Sequence, residues 1–301
     1  MASSKKPFDF RDFGTKLWQK VGDDDILGNA AQVAFYFSFA LFPLLLFLMS
    51  LLGIILSDKE QLQTELFTIL SQVMPQSAFD LVRETLDEVT EKSSGTKLTL
   101  GILVTLWSAS AGVDTMRGTL NQVYNLKETR SFVKAKLTSL ALTLALGVLI
   151  LAALGAIVYG SQLLGQILPI DSPYVLEILE WLAIIALLLT AFAILYNFAP
   201  NHSAFQWKWL SPGAIAGVVL WLILTGGFRI YLRYFDSYAA TYGSLGAMII
   251  LLLWLHLTAL VILIGGAINA IFDEKSGIKK PTLDPEQVRD EKTESGKEAK
   301  T

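Results

Sequence analysis

The chain has no cysteine and only two histidines, His202 and His256, among its 301 residues. Without cysteine there can be neither disulfide bonds nor thiolate metal ligands. We find no close set of histidines and carboxylates for a metal ion, no GxSxG motif and no phosphate-binding glycine loop. The sequence therefore gives no support for an enzyme. We expect no catalytic residue, no metal ion and no cofactor.

Charge is also scarce, because charged residues are 17% of the chain and hydrophobic residues 53%. About 20 apolar residues in a helix cross a bilayer core of about 30 Å. Long uncharged tracts of this kind predict an all-α polytopic membrane protein with one six-helix domain at residues 29–272. We place its six spans at about residues 30–56, 98–117, 137–160, 180–200, 209–232 and 243–272.

Lysine and arginine near the span ends predict the orientation, since positive loops stay in the cytoplasm. The N-terminal segment and the loop between the second and third spans are both rich in these residues, whereas the loop between the third and fourth spans has none. We therefore expect both termini in the cytoplasm. No cleaved signal peptide is expected, because the start lacks a short apolar core followed by small residues.

Three segments are predicted to lie outside the bilayer. Residues 1–28 contain an amphipathic stripe of Phe10, Phe13, Leu17 and Val21, typical of an interfacial helix in the inner headgroup region. Residues 58–96 have helical periodicity on both sides of a proline, which predicts an extracytoplasmic helical hairpin that acts as a structural cap or as a lid. Residues 273–301 are charged and almost devoid of apolar side chains, so we expect a disordered cytoplasmic tail.

Polar residues inside membrane spans are costly and are therefore candidates for function. In the first span, Gln32 and Tyr36 share a helix face and Pro43 follows them; interhelical hydrogen bonding is the alternative interpretation. At the end of the second span, polar residues form one helical stripe that could be a gate or an anionic headgroup contact, unless the aspartate and arginine only neutralise each other. The stripe consists of Asp114, Arg117, Asn121 and Tyr124.

Two further candidates lie in the last two spans. Arg229 and Arg233 are four residues apart near the outer end of the fifth span, with tyrosines nearby, and could bind a phosphate. Snorkelling of the arginines to the interface is the alternative. His256, near the middle of the sixth span, could couple transport to protons or could simply be hydrogen-bonded within the bundle.

Four motifs in order resemble the YihY/virulence factor BrkB family of bacterial inner-membrane proteins. They are LGNAAQVAFYFSFALFPLLLFL (27–48), LWSASAGVDTMRGTLNQVYNLKETRSF (106–132), ILYNFAPN (194–201) and the segment from Tyr231 to Asn269. The resemblance implies a six-helix plasma-membrane protein. That family has carried a ribonuclease BN label, which is regarded as a misassignment, and some relatives are proposed to export or flip lipid. The motif positions carried over by resemblance are Gln32, Pro43, Asp114, Arg117, Asn121, Tyr124, Arg130, Asn197, Pro200, Tyr242 and Gly243.

The intramembrane polar groups and proline-interrupted spans favour a transporter or flippase for an amphipathic or anionic substrate, with lipid as one class. The alternative is a membrane scaffold for envelope assembly that transports nothing; an intramembrane hydrolase or ribonuclease is disfavoured. The expected partners are membrane lipids and a lipid or small anionic substrate, and no nucleic acid. The sequence leaves substrate, direction, energy coupling and oligomeric state open.

Overall fold

All regular structure in the described part of the chain is helical. The computed structural model describes residues 9–55, 96–167, 172–202 and 207–275, and the single positions Thr64, Thr68 and Arg83. The six helices bounded in these residues are α1 (Phe10–Asp23), α2 (Ile26–Ile55), α3 (Thr96–Val123), α4 (Phe132–Ile167), α5 (Pro173–Phe198) and α6 (Pro212–Lys275).

Four helical segments are long and apolar enough to cross a membrane, namely Phe132–Ile157, Tyr174–Phe198, Pro212–Leu232 and Met248–Glu274. They coincide with the third to sixth predicted spans. The first two predicted spans lie in α2 and α3, which are helical, but the described apolar part of α2 is the shorter segment Ile26–Leu41. By length and composition, four helical segments among the described residues could therefore cross a membrane.

The last helix differs from the prediction, because α6 runs without a break through the predicted loop between the fifth and sixth spans. No proline lies between the two apolar segments to end the helix there. A straight helix would place Gly213 and Asn269 about 84 Å apart, at 1.5 Å per residue. Their atoms are instead 2.7 Å apart. The helical run therefore turns back on itself, and its two apolar segments lie side by side.

Glycines allow the helices to approach closely in the bundle core. A Cβ atom on Gly112 would meet the ring of Phe37, so α2 and α3 are in contact there. A Cβ atom on Gly217 would lie 2.6 Å from the Phe192 ring, where the first half of α6 crosses α5. The core around these contacts is apolar, apart from a few fully enclosed polar groups such as the side chain of Tyr124. Small residues at such crossings are typical of membrane helix packing.

The first helix is capped by Asp9, whose carboxylate accepts hydrogen bonds from the backbone nitrogens of Arg11 and Asp12. It packs against the end of α6, where the Phe13 and Phe272 rings are 5.6 Å apart. The predicted N-terminal helix is therefore present. The predicted hairpin at 58–96 lies almost entirely outside the described residues, as does the tail at 273–301 beyond Lys275.

Candidate functional site

The polar stripe predicted on α3 lies at the end of the bundle where α3 stops. Asn125 adopts a left-handed backbone conformation with φ of 53°, which asparagine tolerates better than most residues. The Leu126 nitrogen then donates to the Asn121 carbonyl oxygen at 2.8 Å and closes the helix. This turn directs residues 126–131, the connector between α3 and α4, across the bundle end.

Glu128 in this connector is the centre of a hydrogen-bonded network. Its carboxylate accepts from the Arg117 guanidinium, from Asn121 Nδ2 at 3.1 Å and from Arg130 Nε at 2.8 Å. Partial burial would raise the pKa of Glu128, but the hydrogen bonds from Arg130 and the charges of Arg130 and Arg117 outweigh it and lower the pKa below its usual range. Glu128 is therefore held as a carboxylate.

Arg130 links the same connector to the end of α5. Its two terminal nitrogens donate to the carbonyl oxygens of Phe198 at 3.3 Å and Ala199 at 2.8 Å. These carbonyls belong to the last turn of α5, where orphan acceptors and the negative end of the helix dipole favour a cation. Arg130 thus caps α5 while it remains paired with Glu128.

Asn201 lies in the connector between α5 and α6 and links it a second time to the α3–α4 connector. Its backbone nitrogen donates to Asn121 Oδ1 at 2.7 Å, and its side-chain nitrogen donates to the Lys127 carbonyl oxygen and to Thr129 Oγ1, each at 2.8 Å. The segment that leaves α5 is therefore attached to both α3 and the α3–α4 connector. The side chain of Asn197, one turn earlier, accepts a hydrogen bond from the backbone nitrogen of Lys208 and donates one to the carbonyl oxygen of the same lysine.

Asp114 and Lys136 form the part of the network that reaches furthest into the bundle. The Lys136 ammonium lies 2.6 Å from Asp114 Oδ2 and 4.5 Å above the Trp107 ring, where it makes a cation–π contact. The other carboxylate oxygen of Asp114 is buried and accepts no hydrogen bond within the described part of the chain; it lies 3.9 Å from Arg117 Nη2. Arg117 Nε in turn donates to Ser139 Oγ on α4 at 3.2 Å.

Among the described residues, the ion pairs of the network contain one cation more than carboxylates. Three cations, Arg117, Arg130 and Lys136, face two carboxylates, Asp114 and Glu128. The cationic side chains are 10–13% exposed, whereas the two carboxylates are 27–30% exposed. The cations are thus less exposed than the carboxylates with which they pair.

Behind the network, Tyr124 is enclosed in the core, with its ring edge-on to His202 at 5.2 Å. Its hydroxyl hydrogen-bonds the side chain of Asn269, and burial raises the pKa of this phenol far above its usual range. Asn269 also accepts from the Gly213 nitrogen at 2.7 Å and donates to Ser211 Oγ at 2.9 Å. One buried amide therefore joins α3 to both ends of α6.

The predicted site residues divide into two groups. Asp114, Arg117, Asn121, Tyr124 and Arg130 are brought together, and Asn197 and Pro200 lie beside them at the end of α5. The other predicted residues with described side chains lie apart from the network. Of these, Gln32, Tyr36 and Arg229 are exposed, and Pro43 and His256 are half-buried. The side chains of Arg233 and Tyr242, and the surroundings of Gly243, lie outside the described residues.

Sequence reasoning missed five side chains of the network, Glu128, Thr129, Lys136, Ser139 and Asn201. Glu128 and Asn201 lie in connectors, and helical periodicity cannot place a connector residue relative to another helix. For Lys136, the sequence alone indicates only a positive charge near a span end, which helps to predict the orientation. The sequence does contain one signal for these residues, which is that acidic and basic residues alternate next to a span end. Such residues need partners when they are buried.

Comparison with known proteins identifies relatives of this helical chain. A family model described as virulence factor BrkB matches residues 17–291. The chain belongs to the virulence factor BrkB family. It is similar to the "Putative ribonuclease-like protein YfkH" of Bacillus subtilis (strain 168), with 32% identity over 262 residues, which cover 85% of this chain and 93% of YfkH.

More distant relatives are longer than this chain. The "UPF0761 membrane protein Smlt0865" of Stenotrophomonas maltophilia (strain K279a) is 26% identical over 267 residues, 86% of this chain and 60% of that protein. The "UPF0761 membrane protein XOO3417" of Xanthomonas oryzae pv. oryzae (strain MAFF 311018) is 26% identical over 259 residues, 85% of this chain and 59% of that protein. The match to these two thus covers about three fifths of their length. No solved structure matches the chain.

Proposed function

We propose that this BrkB-family member moves an anionic amphiphile, with phospholipid as the leading class, across the plasma membrane of a bacterium. The observation that carries the proposal is the excess of one cation in the ion pairs of the network, whose largely buried cations lie at one end of a bundle of apolar helices. Charged groups at membrane depth are expensive and commonly mark a substrate path. The planar guanidinium of arginine can also donate two parallel hydrogen bonds to two oxygens of one phosphate group.

The gate in this proposal is the set of bonds that joins the two connectors. Arg130 and Asn201 attach the end of α5 to the α3–α4 connector, and both are linked to Glu128 or Asn121. A phosphate that pairs with Arg117 would replace Glu128 and so disturb the hydrogen bonds that Glu128 accepts from Asn121 and Arg130. The substrate itself would thus favour the open state, as differential binding to two states requires.

The proposed topology has six spans, with α2 and α3 crossing the membrane in addition to the four segments already described. It places both termini in the cytoplasm and the network at the cytoplasmic end of the bundle, which agrees with the basic residues of the α3–α4 connector and the positive-inside rule. The named relatives come from bacteria, and this supports the bacterial plasma membrane as the location.

The decisive experiment measures lipid movement by the purified protein. The full chain is reconstituted in liposomes that contain phosphatidylglycerol or phosphatidylcholine with a fluorescent group on one acyl chain, and a membrane-impermeant reductant destroys only the outer-leaflet fluorescence. We expect faster loss of the protected fraction than in empty vesicles, with phosphatidylglycerol ahead of phosphatidylcholine. Equal rates with and without protein, for these lipids and for a panel of small anions, would refute the proposal.

Matched lysine variants then test the network. Lys136→Gln removes the cation beside Asp114, and Lys134→Gln removes an exposed cation two residues earlier on the same helix. We expect Lys136→Gln to slow transport roughly tenfold, the factor that corresponds to about 1.4 kcal/mol, and Lys134→Gln to leave it unchanged. The double variant Asp114→Asn/Lys136→Gln removes one cation and one carboxylate and so keeps the excess positive charge. If Lys136→Gln is slow at an unchanged unfolding midpoint and the double variant transports at close to the unaltered rate, the excess charge is the requirement.

The second candidate function is a scaffold for envelope assembly without transport. The observation in its favour is that most polar atoms of the network are hydrogen-bonded within the chain, as expected for a static brace. Crosslinking in intact cells that repeatedly captures one envelope protein, together with a negative liposome result, would support it.

A hydrolase remains the least supported reading. The described residues contain no group of three histidine, cysteine, aspartate or glutamate side chains that could hold a metal ion. The carboxylate of Asp114 is engaged by Lys136, and no hydrogen bond or ion pair among the described residues joins Asp114 to His256. The word "ribonuclease-like" is part of the name of the relative YfkH and describes that protein, not this chain.

A further inference from the structure

One side of α5 is covered by protein near the end of the helix and open near its start. Phe192 and Tyr196 are buried where Gly217 of α6 packs against them. Trp181 precedes Phe192 by 11 residues and Ile178 precedes Tyr196 by 18, which are whole helical turns to within about 20°. Ile178 and Trp181 are nevertheless 59% and 57% exposed. The first half of α6 therefore covers this side of α5 only near the end of α5.

The open part of this side forms a groove with a volume of about 400 Å³, which is within the range of small-ligand sites. It is lined by Tyr174, Glu177, Ile178, Trp181, Leu182 and Ile185. From the first to the last of these residues the groove extends about 17 Å along the helix, close to the thickness of one leaflet of the hydrocarbon core. In the proposed topology α5 begins at the extracytoplasmic surface, so the groove lies in the outer leaflet.

The charges that α4 and α5 bring to this end of the bundle are acidic. Between Lys136 and Lys208, the only residues that are charged at neutral pH are Asp171, Glu177 and Glu180. Glu180 lies on the other side of α5, beside Gly160 of α4, whereas Glu177 lines the groove. Glu177 is exposed and forms no ion pair among the described residues. A positively charged ligand would therefore meet a carboxylate that no described side chain neutralises.

The two arginines of the fifth predicted span lie on other sides of α6. Gly217 marks the side of α6 that packs against α5. Arg229 and Arg233 follow Gly217 by 12 and 16 residues, which are rotations of about 120° and 160° in a regular helix. Neither position therefore lies on the side of α6 that faces α5.

The polar end of the groove has the chemistry of an ammonium site. A cation is attracted to the faces of tryptophan and tyrosine rings, and aromatic sites of this kind bind quaternary ammonium ligands. Along the helix axis, Glu177 lies about 4.5 Å after Tyr174 and about 6 Å before Trp181, at 1.5 Å per residue. The carboxylate is thus placed between the two aromatic residues. Leu182 and Ile185 continue the groove with aliphatic side chains, which suit an alkyl chain.

We propose that this groove binds a single-chain cationic amphiphile. Its ammonium group lies at Tyr174, Glu177 and Trp181, and its alkyl chain lies along Leu182 and Ile185. The ammonium group is then at the membrane surface and the chain points towards the bilayer centre, as in a lipid of the outer leaflet. The site is at the opposite end of α5 from the Glu128 network and takes a ligand of the opposite charge.

Photochemical crosslinking of the full-length protein tests the site. Protein in dodecyl maltoside micelles is mixed with a 12-carbon amphiphile that has a diazirine on its chain and a trimethylammonium, sulfate or sugar head group. After irradiation, mass spectrometry locates and quantifies the modified residues. We expect the trimethylammonium compound to modify residues 174–185 at least twofold more than the other two compounds. This preference should fall as the salt concentration rises, because the carboxylate is exposed.

Matched variants test the named side chains. Glu177→Gln and Trp181→Leu should each reduce the modification by trimethylammonium about two- to fivefold, the range for loss of an exposed ion pair or cation–π contact. The controls are Glu180→Gln, on the α4 side of the same helix, and Trp209→Leu, an exposed tryptophan in the α5–α6 connector. Both controls should keep the full preference, and unfolding midpoints measured in parallel verify that all four variants are folded.

Three results would overturn the proposal. Equal modification by the three head groups would mean that the groove only contacts the surrounding amphiphile without selecting its charge. A trimethylammonium preference that persists in both Glu177→Gln and Trp181→Leu would place the cation-binding groups elsewhere. If no compound modified residues 174–185, protein would have to cover this side of α5.

Discussion

The backbone nitrogen of Gly213 lies 2.7 Å from the side-chain oxygen of Asn269, although the two residues are 56 positions apart in the sequence and belong to one helical run that turns back on itself. This hydrogen bond satisfies a donor in the first turn of α6 that no intrahelical carbonyl can reach. It also fixes which residues of the two apolar halves lie side by side. The side-chain amide of Asn269 therefore holds the start of the fifth predicted span beside the end of the sixth.

Asn269→Ala should destabilise the protein by about 1–3 kcal/mol, because it leaves the buried Gly213 N–H and the Ser211 hydroxyl without this partner. Thermal unfolding in detergent micelles measures the change. The matched control, Gln122→Ala, removes an exposed amide from α3 and should shift the midpoint little. Equal midpoints for the two variants would contradict a structural role for Asn269.

Gly213→Ala should also destabilise, since the added Cβ would clash with the Gly265 carbonyl oxygen and lie 2.6 Å from Asn269 Cγ. Overpacking of this kind costs about 1–3 kcal/mol. Gly226→Ala, in the same helix, places its new Cβ more than 4 Å from any heavy atom other than its chain neighbours and the backbone of its own helix. This variant should leave the unfolding midpoint the same or higher. If both variants melted alike, the close approach at Gly213 would be wrong.

Glu128 should make stability depend on acid pH. Its pKa is lowered on folding from an ordinary value of 4.5, so the folded state binds the proton less readily than the unfolded state. Its stabilising contribution is therefore present above about pH 4.5 and disappears as the pH falls through the lower folded pKa. Thermal unfolding from neutral to acid pH should show this loss, and Glu128→Gln should remove that part of the dependence. The exposed control Glu177→Gln should retain it.

Arg130→Lys should loosen the α5–α6 connector while it keeps the positive charge. Lysine cannot reproduce the fork that donates to Phe198, Ala199 and Glu128 together. Hydrogen exchange of the Asn201 amide, whose acceptor is Asn121 Oδ1, reports this segment. We expect faster exchange in Arg130→Lys than in the control Lys134→Arg, and unchanged exchange would show that the charge alone is sufficient.

The six-span topology predicts the labelling of single cysteines in intact cells. Ser172→Cys, before α5, should react with an impermeant maleimide applied from outside, whereas Asn125→Cys, after α3, should react only after the membrane is opened. An odd number of crossings between the two positions requires this difference. If both reacted in intact cells, or both only after opening, the proposed topology would be wrong.

The candidate site was partly predictable for a local reason. Asp114, Arg117 and Asn121 recur at helical spacing, so their common face on α3 follows from the sequence alone. Glu128 could not be assigned to the same network, because its position depends on the left-handed turn at Asn125 and on the end of α5. Arg130 was carried over only as a motif position, and its role as a helix cap needed the location of Phe198 and Ala199.

The sequence by itself determined the helical class and the positions of the long apolar segments, because hydrophobicity is a property of consecutive residues and needs no partner. It also placed an amphipathic helix at the N-terminus. Only the tertiary structure decided that Phe13, Leu17 and Val21 dock on protein and that Asn269 joins Gly213 to Tyr124. These pairings join residues far apart in the chain, and the geometry of helix packing selects them.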